Sequence, residues 1–121
     1  MSAAYQEVTD ALVALLSPYG DRLEVVKESS WGYYLQSKKP VRKKGQLMFA
    51  AVRAGKAYVS YHLMPIYMNE PLQATISPAL RKRMQGKACF NFKELPEPAV
   101  LDELRALTEA GFRSFEAAGY I

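Results

Sequence analysis

Two runs rich in strand-forming residues, QLMFAAVR (residues 46–53) and KAYVSYHLM (residues 56–64), are separated only by Ala54 and Gly55, which leaves a β-hairpin as their natural arrangement. Pro65 closes the second strand, because a proline has no amide hydrogen to give to the ladder. Side chains alternate along a strand, so Tyr58, Ser60, His62 and Met64 share one face and Val59, Tyr61 and Leu63 the other. The second face is apolar and should meet helices. The first holds a phenol, a hydroxyl and the chain's one histidine.

The rest of the chain supplies partners for this hairpin. RLEVVKE and GYYLQS read as two short strands around a turn at Ser29 and Ser30, and ACFNFKE as a last strand. Residues 2–16 place Tyr5, Val8, Leu12 and Leu15 at helical spacing before SPYG stops the pattern. NEPLQATI reads as a turn of helix or an ordered loop. In SPALRKRMQG, Ser77 caps a helix, Pro78 takes its first position and Gly86 suits its end. From about Pro98 to Ala118, Leu101, Leu104, Leu107, Phe112 and Phe115 form one stripe. The order is helix, four strands, helix, strand, helix. Strands joined by tight turns pair antiparallel, so residues 1–121 are expected to form one α+β domain: a sheet of about five strands with the N- and C-terminal helices packed on one face. Half of the 121 residues are apolar, enough for one ordinary core without staples.

No stretch approaches the ~18 apolar residues of a membrane span. MSAAYQEVTD lacks the basic segment and apolar run of a secretion signal, and the lone Cys89 suits a reducing compartment, so a cytoplasmic location is expected. The net charge of +4 is concentrated in KKPVRKK (38–44) and RKRMQGK (81–87). These runs are solvated surface or a positive patch for a small anionic ligand or an acidic protein partner. They lack the interleaved aromatics of single-strand nucleic-acid binders, and the segment at Arg81 is too short to read a groove.

Chemical motifs are sparse. GKACFNFK has one glycine before a strand and no helix start after it, so it is not a phosphate-binding loop. One histidine and one cysteine fall short of the three or four ligands of a zinc site, and Met48, Met64, Met68 and Met84 read as core filler. No catalytic residue, metal site or cofactor is assigned. The alternation instead nominates a ligand-binding surface. In ACFNFKE, Phe90 and Phe92 point together, leaving Cys89, Asn91 and Lys93 opposite. If this strand pairs beside the hairpin, Tyr58, Ser60, His62, Asn91 and Lys93 lie on one open sheet face, as a polar pocket or the seam of a homodimer. A lone strand histidine is more commonly a hydrogen-bonded structural residue.

KAYVSYHLMPIYMNEPL, followed by ISPALRKRMQGKACFNFKE and a terminal amphipathic helix, resembles the YdhG-like family of small bacterial proteins, much of it of unknown function. The likeness spans roughly residues 47–115 and is sharpest at GKACFNFK. It implies a frataxin-like fold and, as an alternative to a non-enzymatic binding module, an iron- or metal-handling role. Hard cations need clustered carboxylates. The first helix and first strand offer only Glu7, Asp10, Asp21, Glu24 and Glu28.

Overall fold

The computed structural model describes residues 3–29, 32–38, 40, 45–86 and 88–121. Helix α1 (Ala3–Leu16) leads through a 3-10 turn (Ser17–Tyr19) to β1 (Glu24–Ser29) and β2 (Gly32–Gln36). Strands β3 (Met48–Ala54) and β4 (Val59–Leu63) are followed by three short helices, α2 (Met64–Met68), α3 (Glu70–Ala74) and α4 (Pro78–Arg81). Strand β5 (Cys89–Phe92) and helix α5 (Pro98–Ala117) complete the chain. The strands lie in chain order, each antiparallel to its neighbour, as a five-stranded meander. The expected α+β architecture is therefore present.

The apolar stripes of both terminal helices land on one sheet face. Val8, Leu12, Leu15 and Leu16 of α1 are buried with Leu104, Leu107, Phe112 and Phe115 of α5, against Leu35, Phe49, Val52, Val59, Tyr61, Leu63, Phe90 and Phe92 of the sheet. At the centre Phe49 packs on Tyr19, Phe112 and Phe115, with ring centroids 5.7 to 5.9 Å apart. A bulge puts it there. Leu35 pairs with Ala50 and Gln36 with Met48, so Phe49 is an extra residue that turns inward beside Ala50. A second bulge, between Val25 and Lys27, turns Val26 outward, where it is 49% exposed.

Between Leu63 and β5 the chain departs from the expected single helix. Pro65 sits in the first turn of α2 after β4 has ended, and NEPLQATI becomes α3 with Pro71 in its first turn. Ser77 caps α4 as expected, its Oγ accepting from the Leu80 amide at 3.2 Å, and the Glu103 carboxylate accepts from Ser77 Oγ and from its amide. Helix α4 stops at Arg81 rather than near Gly86, because the next residues pair with β5. The Asn91 amide donates to the Arg83 carbonyl at 2.8 Å, the Gln85 amide to the Cys89 carbonyl at 2.9 Å, and Met84 bridges Phe90. Gly86, at φ +78°, turns the chain into β5 instead of ending a helix. Gly111 serves a different end: a Cβ there would lie 2.9 Å from the ring of Pro65, so its absence lets α5 close on α2.

Candidate functional site: the uncovered sheet face

The register of β3, β4 and β5 decides which side chains meet on the face away from the helices. Ala51 pairs with His62, and His62 with Cys89; Arg53 pairs with Ser60, and Ser60 with Asn91. The Leu63 amide donates to the Ala88 carbonyl at 2.9 Å, so His62–Cys89 is one of the pairs whose own amides do not bond each other. Such pairs bring side chains closest, about 4.5–5.5 Å between Cβ atoms. Hence the polar contacts that follow. Ser60 Oγ donates to Asn91 Oδ1 at 2.9 Å, Cys89 Sγ donates to the same oxygen at 3.4 Å, and Asn91 Nδ2 donates to Gln85 Oε1 at 2.7 Å.

This network fixes the chemistry of the His62–Cys89 pair. Cys89 Sγ also lies 3.7 Å from His62 Nε2, so thiol and imidazole are in contact, with the donor set by the imidazole tautomer. Burial pushes the Cys89 thiol above its ordinary value, the Ser60 hydroxyl acting the other way. Burial also holds the His62 imidazole below its ordinary value, with the Arg53 guanidinium adding to the effect. The pair is thus a neutral thiol beside a neutral imidazole. Nucleophilic catalysis needs the thiolate, and this arrangement disfavours it.

Two depressions adjoin on this face. One, of about 530 Å³, is lined by Arg53, Lys56, Tyr58, Ser60, His62 and Asn91, with Gln85 and Cys89 at its far wall. Its neighbour, of about 300 Å³, is lined mainly by Val26, Tyr34, Met48 and Ala51, and the two share Arg53 and His62. The hollow of the second comes from Ala51, which stands between Tyr34 and His62 in the cross-strand row and is too small to fill the pleat.

Of the residues nominated from sequence, Tyr58, Ser60, His62 and Asn91 come together around the polar depression. Lys93 does not join them. It follows the last residue of β5, is exposed, and is not among the residues lining that depression. Arg53, Lys56 and Gln85 were not foreseen. Alternation across the hairpin puts Arg53 on the face of Tyr58, Ser60 and His62, though its pairing with Ser60 comes from the observed register; Gln85 depends on a non-local pairing that local pattern does not encode.

Among the described residues the cations of the two basic runs do not line this depression, although Gln85 of RKRMQGK does; residue 87 of that run lies outside the described residues. Of KKPVRKK, residues 39 and 41–44 lie outside the described residues; Lys38 Nζ donates to the Asp21 carbonyl at 2.7 Å. In the second run Arg81 donates to the carbonyls of Ile76 and Gln73, tying α4 to α3, and Arg83 lies over the Phe92 ring at 5.9 Å. Among the described residues no three His, Cys, Asp or Glu side chains gather to hold a metal ion. Glu24 accepts from Gln36 and Gln46, and Asp10 from Gln6; the Glu28 side chain lies outside the description. No described helix is long and apolar enough to cross a membrane.

Fold and site together define an α+β five-stranded meander with helices on one face and a two-part depression on the other. No family model matches the chain, and neither a curated protein nor a solved structure shows significant similarity to it.

Proposed function

We propose that the chain is a non-enzymatic cytoplasmic binding module whose uncovered sheet face takes a small anionic ligand. The observation that carries this reading is the convergence of Tyr58, Ser60, His62 and Asn91 from two strands and a loop onto one depression, with the cations Arg53 and Lys56 at its border. Among the described residues that line it there is no carboxylate. Cationic clefts with low-dielectric walls concentrate anions. The iron-handling role implied by the YdhG-like resemblance draws less support, since Glu7 and Asp10 on α1 are exposed and form a single acidic pair. Association of two copies through this face is the competing use of the same surface. Amide chemical shifts recorded against a panel of small carboxylates, phosphates and sulfonates test the proposal. Perturbations centred on Ala51, Ser60, His62 and Asn91, and weakened in His62→Gln at unchanged melting midpoint, support it; binding elsewhere, or none at all, overturns it.

A further inference from the structure

The two depressions differ in character, and that difference bears on what fits them. Val26, Tyr34, Met48 and Ala51 make the smaller one a hydrocarbon surface, and the outward Val26 is unusually exposed for its type. The larger one begins where that surface ends, at Arg53 and His62, and continues to Lys56, Tyr58 and Ser60. We infer that the occupant is a small amphipathic anion, its acidic headgroup bordered by Arg53 and Lys56 and its flat apolar body lying over Ala51 between Tyr34 and Met48. This rests on the reading of the sheet face as a binding site and narrows it to one ligand class.

The lining of the two halves selects this class. Asn91 Oδ1 already accepts from Ser60 and Cys89 and one Nδ2 hydrogen goes to Gln85 Oε1, so the acceptor of this wall is occupied while its amide still has a second hydrogen to donate, which with the border cations suits an anionic headgroup. An inorganic anion would leave the apolar half in water. A neutral aromatic would cover the apolar half but place no charge against Arg53 and Lys56. Only a molecule with both parts is complementary to both halves. A cation is the wrong sign, because the guanidinium already opposes protonation of His62.

The test uses the whole chain and three probes: 2-naphthoate, the uncharged 2-naphthalenemethanol, and inorganic phosphate. Titration calorimetry and amide shifts are expected to show 2-naphthoate binding at least tenfold more tightly than either of the others, with shifts at Ala51, Ser60 and His62. Ala51→Met, which fills the apolar half, and Lys56→Gln, an exposed change in the hairpin loop, should each weaken it several-fold without abolishing the fold. Equal affinity for the alcohol overturns the headgroup assignment, and equal affinity for phosphate overturns the apolar body; in both cases the face still binds. If no probe shifts these amides, the face itself fails as a site. A doubled mass with these amides already protected makes a second copy the occupant and overturns the inference.

Discussion

Tyr61 and Thr108 form the one described side-chain hydrogen bond buried between the sheet and α5, and its polarity predicts an asymmetry. Both residues are fully buried, with the oxygens 2.6 Å apart. Thr108 Oγ1 donates to the Leu104 carbonyl at 2.7 Å, so its one hydrogen is spent and Tyr61 must be the donor. Burial raises the phenol well above its ordinary value and keeps it protonated. Thr108→Val therefore strands a buried O–H with no acceptor, which costs about 1–3 kcal/mol. Tyr61→Phe removes the donor but leaves Thr108 bonded to Leu104, and should cost about 0.5–1.5 kcal/mol, the net worth of an ordinary hydrogen bond. The double variant removes both polar groups together and should fall well short of the sum of the two singles, by about 1 kcal/mol or more. Urea denaturation with unchanged m-values measures all three. Additive effects, or a larger loss for Tyr61→Phe than for Thr108→Val, would refute the assigned donor direction.

Phe112→Ala should cost about 3–5 kcal/mol, since its ring is nearly buried and meets Tyr19 at 4.8 Å and Phe49 at 5.9 Å; a loss under about 1 kcal/mol in urea melts would mean that it is not part of the core. Gly111→Ala, which in an exposed helix would gain up to about 1 kcal/mol, should instead lower the melting midpoint, because the new methyl meets the rigid Pro65 ring at 2.9 Å; a raised midpoint would refute the close approach. The His62 imidazole sits below its ordinary value of 6.5, so the unfolded chain protonates first. Its contribution to stability is complete above about pH 6.5 and is lost as pH falls from there through the folded value. Wild type should lose more stability than His62→Gln between pH 7.5 and 5.0, and parallel losses would count against it.

Much of the architecture is legible in local pattern. The heptad-like stripes of 3–16 and 98–117 and the alternation in Val59–Leu63 name their buried faces correctly, because periodicity of apolar residues and burial of one face are the same physical fact. The same alternation sorts Ser60, His62, Cys89 and Asn91 onto the opposite face, but a turn at Ala54 and Gly55 would set Arg53 across from Lys56. The chain instead turns at Lys56 and Ala57, closed by the Gly55 amide on the Tyr58 carbonyl, and it is this shift that brings Arg53 across from Ser60. What pattern cannot supply is any feature that breaks the period. The bulges that turn Phe49 into the aromatic centre and Val26 out beside Tyr34 are invisible in a two-residue repeat, and they are the reason the face has an apolar half. Helix α4 ends early because 83–85 pair with β5, a competition between local helix preference and a strand edge available only once the sheet exists. Lys93 shares the parity of Asn91 yet leaves the site, since alternation holds only while the chain remains in the ladder. Sequence alone thus determined the layers and which side chains each strand offers to each face; tertiary structure decided where the strands break register, because that is set by packing against residues far away in the chain.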